Sequence, residues 1–265
     1  MKYLIAVFSS LLFFSLANAQ NEYQNHEVFA VNKENPHAQL FPYRNEGNAI
    51  LNQKENSPWF QSLDGFWKFH WVKNPNNRPN NFHQTDFDDS AWEDFPVPAN
   101  WEVHGYDYPI YLDEKYPFST TWPKVPADYN PVGSYRRTFE IDENWTDKEI
   151  FLHFGAVKSA LYVWVNGQKI GFSQGSKTPA EFNITKYLQK GKNTLAIQIY
   201  RWSDASYVES QDMLRLSGIE REVYLYATPK THLWDMFAKT ERMKDNQKDW
   251  KLSVDLTIKQ YDKPA

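Results

Sequence analysis

The sequence predicts an all-β protein built as an antiparallel β sandwich, and three observations support that fold class. Apolar and polar residues alternate repeatedly between Ser134 and Tyr226, turn-forming residues separate these runs, and helical periodicity is weak beyond residue 20. A period of two sends successive side chains to opposite faces of a strand, as is needed where one face packs against a core. Several short strands of this kind are typical of two packed antiparallel sheets.

The beginning of the chain predicts a signal peptide over residues 1–19. Met1-Lys2 precedes a mostly apolar run that ends at Leu16, and Ala17-Asn18-Ala19 has the small-x-small pattern of a cleavage site. The alternative is a membrane anchor, but the run is shorter than the roughly 20 residues that a membrane-spanning helix needs. We therefore expect cleavage before Gln20 and export to the periplasm or the cell exterior, with no membrane contact afterwards.

The composition excludes several classes of function. The chain has no cysteine, so an exported protein of this sequence relies on packed apolar surface and not on disulfides. Its formal net charge is −4 and its charged residues are interspersed, which gives no electrostatic basis for binding nucleic acid or an anionic membrane. Aromatic residues make up 17% of the chain, enough to fill a core and still provide rings that stack on sugars.

Two regions follow the signal peptide before Pro229. Residues 20–58 are rich in Asn, Glu and Pro and have few periodic apolar positions, which predicts an irregular surface arm. Residues 59–228 hold the alternating runs and predict the sandwich. Within it, Asn166-Gly167 predicts a two-residue hairpin turn, because both residues tolerate positive φ. Strand registers are predicted for Tyr135, Arg137 and Phe139, for Leu161, Val163 and Val165, for Leu195, Ile197 and Ile199, and for Val223 and Leu225.

Residues 229–265 predict the beginning of a second β domain. Two strands are expected, at Leu233–Thr240 and Trp250–Lys259, and the second alternates apolar and polar residues throughout. A lone hairpin cannot bury such an apolar face, because an independent sheet generally needs about three strands or a packing partner. We therefore expect the sequence to stop, at Ala265, inside this domain.

Several blocks of sequence carry the most specific signal in the chain. They are Ser62–Phe69, Pro96–Tyr106, Asn130–Tyr135, Ala156–Gly167, Gly171–Phe182 and Arg201–Ile219, the last of which reads RWSDASYVESQDMLRLSGI. In this order the blocks resemble the N-terminal sugar-binding domain of the large β-galactosidases of glycoside hydrolase family 2. The resemblance runs from about Asn35 to Lys259, which is most of the chain.

The resemblance implies a jelly-roll, galactose-binding-like sandwich at 59–228, followed by an incomplete immunoglobulin-like sandwich at 229–265. In this family, two glutamates on a later α/β barrel hydrolyse terminal β-galactosides with retention, a reaction that needs carboxyl groups about 5 Å apart. The sequence offers no such barrel, so no glutamate here is assigned a catalytic role. The implied function is the sugar-binding portion of an exported β-galactosidase, and the chain alone is expected to be inactive.

The resemblance also implies two substrate-binding residues. Asp212 matches the family aspartate that contacts a galactosyl hydroxyl and helps to hold a sodium ion, two tasks that suit a carboxylate. Asp113 stands where the family usually has an asparagine, and ionised Asp accepts hydrogen bonds without donating them, so either the hydrogen-bond pattern around the sugar or the preferred substrate is expected to differ. Glu114 is the alternative to Asp113 if the loop shifts by one residue, and a strand-end aspartate bonded to nearby backbone is the alternative for Asp212. Sodium and magnesium are expected for the full-length enzyme, with neither site complete in this chain.

Other residues of the Arg201–Ile219 segment are predicted to support the site from behind. Asp204, Glu209 and Arg215 are expected to fasten the loop, with Arg215 or Arg201 pairing with a carboxylate, although an ordinary salt bridge is an equal alternative. Trp202 and Tyr207 fit either core positions or stacking on a sugar.

Three kinds of partner are expected for the chain. They are a β-galactoside or oligosaccharide, the remaining domains of a parent enzyme, and a second copy in a homo-oligomer. Two non-catalytic functions stay open beside the enzyme: a stand-alone carbohydrate-binding module and a subunit-assembly module.

Overall fold

The computed structural model describes residues 22–113, 115–243 and 248–261. The predicted signal peptide and Glu114 lie outside these ranges. Within them, the predicted all-β class is confirmed, because the chain forms antiparallel sheets with only short helices between the strands.

The strands are β1 (Ala30–Val31), β2 (Phe60–Ser62), β3 (Gly65–Val72), β4 (Glu93–Val97), β5 (Ala99–Asn100), β6 (Ile110–Leu112), β7 (Val132–Glu140), β8 (Glu149–Phe154), β9 (Val157–Lys158), β10 (Ala160–Val165), β11 (Gln168–Ser173), β12 (Ala180–Asn183), β13 (Lys192–Tyr200), β14 (Met213–Arg215), β15 (Gly218–Ile219), β16 (Val223–Thr228), β17 (Thr231–Arg242) and β18 (Trp250–Gln260). The α-helices are α1 (Glu46–Leu51) and α2 (Ala205–Val208). Single-turn 3₁₀ helices lie at Glu22–Gln24, Lys54–Asn56, Pro75–Asn77, Glu102–His104, Glu143–Trp145 and Thr185–Tyr187.

Two sheets form the sandwich. The larger has seven strands in the order β1-β11-β10-β13-β7-β3-β4, and the smaller has four in the order β12-β8-β16-β2. Their inner faces share one apolar core, to which Trp67, Tyr135 and Leu152 contribute side chains that are almost fully buried. The non-sequential strand orders arise because the chain crosses repeatedly between the sheets, as expected for a jelly-roll sandwich.

Strand β10 shows why the alternating pattern predicted the fold correctly. Leu161 and Val163 belong to the core between the sheets, whereas Tyr162 and Trp164 belong to a second apolar cluster on the outer face of the larger sheet. The predicted hairpin turn at Asn166-Gly167 joins β10 to β11, with φ values of 50° and 81°. The strand is therefore buried on both faces.

The N-terminal arm covers the outer faces of both sheets. Strand β1 pairs with β11 at one edge of the larger sheet, and Tyr23 stacks on Tyr200 with ring centroids 4.4 Å apart. Further along, Phe41 packs against Tyr224 and Tyr226 on the outer face of the smaller sheet. This cover explains why both outer faces are apolar.

The arm is more regular than the irregular segment predicted from its composition. An exposed sheet edge offers unpaired backbone N–H and C=O groups, and residues of the arm pair with this edge, strand β11, to form β1. Helix α1 forms because the side chain of Asn45 accepts a hydrogen bond from the backbone N–H of Asn48 at 2.9 Å, and because Asn52 ends the helix in the left-handed conformation.

Strands β17 and β18 form the hairpin predicted beyond Pro229. The side chain of Trp234 packs on Phe151 of the sandwich, but the large apolar side chains of Phe237, Trp250 and Leu256 are exposed. A two-stranded sheet thus leaves its apolar face open, as the strand count predicts. The immunoglobulin-like class of this region stays a prediction. Among the described residues, no helix has the length and apolar character needed to cross a bilayer.

Candidate functional site

The segment from Arg201 to Ile219 forms a loop that leaves the larger sheet after β13 and enters the smaller sheet at β16. Along it lie α2, β14 and β15. Gly218 has φ +109°, and an added Cβ would lie 2.7 Å from the carbonyl oxygen of Ala99 and 3.0 Å from Trp101. A side chain at this position would collide with β5, so glycine is required where the loop rejoins the sandwich.

The two predicted substrate-binding residues lie at the same end of a short ladder. Strand β14 pairs with β6 in antiparallel register, with Met213 opposite Leu112 and Arg215 opposite Ile110. Asp212 precedes Met213 and Asp113 follows Leu112, so the continued register brings these two aspartates side by side. Both are exposed. The extrapolated register therefore sets opposite each other two residues that are about a hundred positions apart in sequence.

Asp212 has a hydrogen-bond donor that the sequence prediction missed. The hydroxyl of Tyr111 donates to Oδ1 of Asp212 at 2.5 Å, and this bond raises the pKa of the Tyr111 phenol above its usual value. The available signal was strand alternation, which predicts that the side chains of Tyr111 and of Asp113, the residue after β6, lie on the same side of the chain. The carboxylate keeps an acceptor oxygen that faces solvent, as a sugar-hydroxyl contact requires.

The predicted metal sites remain predictions. The described residues contain no group of three or more His, Asp or Glu side chains placed to share a metal ion. An exposed carboxylate such as Asp212 fits one ligand position of a sodium ion, whose hard-oxygen shell needs further ligands.

Arg201 anchors the beginning of the loop and is completely buried. Its guanidinium pairs with Asp107, lies 3.7 Å from Glu102, and donates to the carbonyl oxygens of Tyr108 at 3.0 Å and Arg215 at 3.2 Å. Burial raises the pKa of Glu102, and the nearby guanidinium acts in the opposite direction. Glu102 lies in the Pro96–Tyr106 block, and Asp107 is the residue after that block. The sequence analysis did not predict that this block contacts the loop.

Arg215 fastens the middle of the loop through main-chain carbonyls. Its guanidinium donates to the carbonyl oxygens of Glu209 at 2.7 Å, Gln211 at 2.6 Å and Leu112 at 3.3 Å. These bonds tie the residues before Asp212 to the end of β6. The predicted support of the loop by an arginine thus takes the form of a carbonyl clamp here, whereas Arg201 makes the carboxylate pairs.

Glu209 and Asp204 attach the loop to other segments. Glu209 accepts hydrogen bonds from the backbone N–H of Ser176 at 2.7 Å and from its hydroxyl at 2.5 Å. Asp204 caps α2 by accepting from the N–H of Ala205 at 3.0 Å, and its own N–H donates to Tyr23 of the arm at 2.9 Å. Burial raises the pKa of Asp204. The side chain of Glu209 thus joins the loop to Ser176, and the backbone of Asp204 joins it to the arm.

The two aromatic residues of the loop differ in exposure. Trp202 is buried, which matches the core alternative, and its backbone N–H and carbonyl oxygen are both hydrogen-bonded to the side chain of Asn130. Tyr207 is half-buried, and its hydroxyl accepts from the N–H of Thr121 and donates to the carbonyl oxygen of Lys124. Its ring contacts Trp122, which is half-exposed. These contacts make Tyr207 a link between the loop and the segment that follows Asp113.

The loop lies within a region that matches a known family of domains. The family model described as glycosyl hydrolases family 2, sugar binding domain, matches residues 60–229. A β-galactosidase of Priestia megaterium is 44% identical over 250 residues, which cover 92% of this chain and 24% of the relative. A β-galactosidase of Vibrio cholerae is 43% identical over 220 residues, which cover 83% of this chain and 21% of the relative. The chain spans about a quarter of the length of these curated relatives.

Solved structures with a similar fold include two glycosidases. A β-glucuronidase of Bacteroides uniformis superposes with a TM-score of 0.57 at 25% identity, over 74% of this chain and 21% of its own. A β-glycosidase of Bacteroides vulgatus has a TM-score of 0.57 at 22% identity, over 77% of this chain and 25% of its own, a likeness of fold alone. The expected resemblance is confirmed by the family match and the sequence relatives together: the chain belongs to glycosyl hydrolase family 2 and carries the sugar-binding domain of that family.

Proposed function

We propose that this chain is the N-terminal, sugar-binding portion of an exported β-galactosidase. The observation that carries the proposal is the pairing of β6 with β14, whose register, continued by one residue, would set Asp113 opposite Asp212 at the exposed end of the ladder. Two adjacent carboxylates accept several hydrogen bonds from the hydroxyls of one sugar ring. The names of the two relatives described above, both β-galactosidases, support galactose as that sugar.

Hydrolysis is proposed for the parent protein and not for this chain. In the proposed mechanism, a barrel supplied by the parent carries two carboxylic groups about 5 Å apart, one acting as acid and base and the other as nucleophile, which gives retention. In this proposal the chain orients the sugar. Asp212 and Asp113 accept hydrogen bonds from its hydroxyls, while Arg201 and Arg215 stabilise the conformation of the loop. Sodium, bound partly through Asp212, would supply positive charge beside the sugar hydroxyls.

Export and cellular location are also proposals. They rest on the basic start, the apolar run and the small-x-small site of residues 1–19. Cell fractionation of the producing bacterium would test them: the protein is expected outside the cytoplasm with Gln20 at its N-terminus. A cytoplasmic protein that retains Met1 would contradict the proposal.

Calorimetric titration of the chain with galactose, lactose and glucose tests the sugar site. We expect weak binding of galactose and lactose, with little binding of glucose. Asp212→Asn removes the charge while it keeps the shape, and is expected to weaken galactose binding about tenfold, because hydrogen bonds to charged groups are the stronger ones. Asp94→Asn is the matched control, since Asp94 is also exposed and pairs with Lys68 away from the loop.

The outcomes separate the candidate functions. Equal affinity of the Asp212→Asn variant and the original chain would contradict the assigned sugar contact. Hydrolysis of a chromogenic galactoside by this chain alone would contradict the proposed dependence on a barrel. If the chain binds sugar and the cell makes no parent protein with a barrel, the stand-alone binding module would be favoured. If the chain associates with itself but binds no sugar, the assembly module would be favoured.

A further inference from the structure

A cavity lies between the arm and the outer face of the smaller sheet, and no residue of the Arg201–Ile219 loop lines it. Its volume is about 550 Å³, within the range of about 300–1,000 Å³ that is usual for small-molecule sites. One wall is the arm from Phe29 to Phe41, and the other is formed by β8, β12 and β16. The ladder of Asp212 and Asp113 does not line this cavity.

The walls of this arm cavity are largely apolar. Phe41 lies between Tyr224 and Tyr226, with ring centroids 5.8 Å and 5.7 Å away, and Phe29 and Leu40 line the same space. Aromatic and aliphatic walls of this kind bury the hydrocarbon part of a ligand and leave its polar part to a few side chains. The charged side chains that line the cavity therefore decide the chemistry of the ligand.

The most buried carboxylate of the cavity is already satisfied. Oε1 of Glu181 accepts a hydrogen bond from the hydroxyl of Tyr226 at 2.6 Å and contacts Nε2 of His37 at 3.0 Å. Oε2 contacts Nδ1 of His153 at 2.9 Å. Glu181 is therefore committed to the fold and presents no free acceptor to a ligand.

The other two carboxylates that line the cavity are paired as well. Glu34 accepts a bond from Nζ of Lys259 at 2.6 Å, and Glu222 pairs with Lys54. Each carboxylate of the lining thus has a cationic or imidazole partner. Their negative charge is neutralised locally and does not oppose an incoming anion.

Two cations of the lining have no carboxylate partner among the described residues. Nζ of Lys33 lies 5.4 Å from the centre of the Phe29 ring, and the side chain of Arg221 is exposed at the rim. Burial lowers the pKa of Lys33, as expected for an ammonium group that lacks a counter-ion. The cavity therefore combines an apolar interior with a surplus of positive charge.

We propose that the arm cavity binds a small amphipathic carboxylate that carries an apolar ring. The ring would lie between Phe41 and Phe29, and the carboxylate group would contact Lys33 and Arg221. The ligand class follows from the lining. The aromatic walls favour a ligand with an apolar body, and an anionic group on that ligand would pair with the two cations. This site is separate from the galactose site, so either can exist without the other.

Titration with 3-phenylpropionate, with 3-phenylpropanol as its uncharged counterpart, tests the proposal on the chain. We expect the carboxylate to bind with a dissociation constant of about 1 mM or tighter, and the alcohol roughly tenfold more weakly. Lys33→Gln and Arg221→Gln should each weaken carboxylate binding by about fivefold to tenfold, and neither should change binding of the alcohol. Galactose should not displace the carboxylate.

Lys186→Gln is the matched control, because Lys186 also lies over an aromatic ring, Tyr187, at 5.0 Å but outside the cavity. Thermal unfolding of each variant checks its fold, and the exposed position of Arg221 keeps that test usable if Lys33→Gln unfolds. No binding of 3-phenylpropionate, equal binding of the alcohol, or unchanged affinity in the Arg221→Gln variant would each overturn the proposal. None of these results would affect the galactose site.

Discussion

The hydroxyl of Tyr111 donates a hydrogen bond to Oδ1 of Asp212 across 2.5 Å, and the two residues belong to neighbouring segments of one ladder. Tyr111 lies in β6, and Asp212 directly precedes β14. The bond fixes the orientation of an exposed carboxylate that would otherwise rotate freely. Because the carboxylate of Asp212 is already oriented, a ligand on its solvent-facing side can bind with little further loss of side-chain conformational entropy.

Tyr111→Phe should reduce galactose affinity without reducing stability. The change removes the donor that orients Asp212 and leaves the ring in place, so affinity should fall about fivefold. The midpoint of urea unfolding should not change, because both residues are exposed. Calorimetric titration measures the first effect, with Tyr187→Phe as a control outside the loop. A loss of affinity equal in both variants would contradict the orienting role of Tyr111.

Arg201→Met should be strongly destabilising. The methionine fills part of the same space but leaves Asp107 and Glu102 as buried carboxylates without their cation. Breaking a buried ion pair in this way costs about 3–5 kcal/mol. Urea unfolding followed by tryptophan fluorescence measures the change in the free energy of unfolding. Arg44→Met, at an exposed arginine of the arm, should change it by less than about 0.5 kcal/mol; similar losses in the two variants would refute the anchoring role of Arg201.

The contact between Glu181 and His37 predicts a dependence of stability on pH. Burial alone would raise the pKa of Glu181, but hydrogen bonds with His153, His37 and Tyr226 outweigh it and lower the pKa from 4.5 to about 2. Burial is the largest single influence on His37 and lowers its pKa, but the hydrogen bond to Glu181, the charge of Glu181 and the hydrogen bond to the carbonyl oxygen of Ala38 together outweigh it, so the net change is upward from 6.5. The Glu181 contribution is therefore complete above pH 4.5 and lost towards pH 2, while that of His37 is complete below pH 6.5 and lost at higher pH.

Glu181→Gln should flatten this profile. The difference in the free energy of unfolding between the original chain and the variant should be largest between pH 4.5 and 6.5 and should shrink on either side of that window. Its decline towards low pH is expected to be on the order of 3 kcal/mol. Glu55→Gln, in the arm but exposed, is the control. A difference that stays constant across the whole pH range would disprove the linkage.

Gly218→Ala should destabilise the junction between the loop and the sandwich. The added Cβ would lie 2.7 Å from the carbonyl oxygen of Ala99, and φ is +109°, so the change combines a collision with backbone strain. We expect a loss of about 2–4 kcal/mol in the free energy of unfolding. Gly105→Ala is the matched control, because φ there is +87° but no atom lies within 4 Å of the added Cβ. It should lose only about 1 kcal/mol, and equal losses would show that the collision with Ala99 is unimportant.

The strands of the sandwich could be predicted from the sequence because their determinants are local. Leu161 and Val163 alternate with Tyr162 and Trp164, and this alternation follows directly from the two buried faces of β10. The turn at Asn166-Gly167 is likewise set by two residues that adopt positive φ. The regular pieces of the arm were missed, because β1 depends on a distant edge strand and not on its own two residues.

The site was only partly predictable, for a physical reason. Asp212 and Asp113 could be named from their motifs, but their adjacency depends on a ladder between segments far apart in sequence. The partners of Arg201 are set in the same way, because Glu102 and Asp107 reach it only through the folded sandwich. Side-chain pairs of this kind leave no period or spacing in the sequence. Glu114 lies outside the described residues, so its role as the alternative to Asp113 stays a prediction.

The most direct test of the central claim is an amide ¹H–¹⁵N NMR titration of the chain with galactose. The claim is that the sugar binds at the end of the β6–β14 ladder, beside Asp212 and Asp113. We predict that the largest shift changes fall on residues 111–113 and 211–214, and that they disappear in the Asp212→Asn variant. Changes that instead fall on the arm at residues 29–41, or that persist in the variant, would contradict the claim.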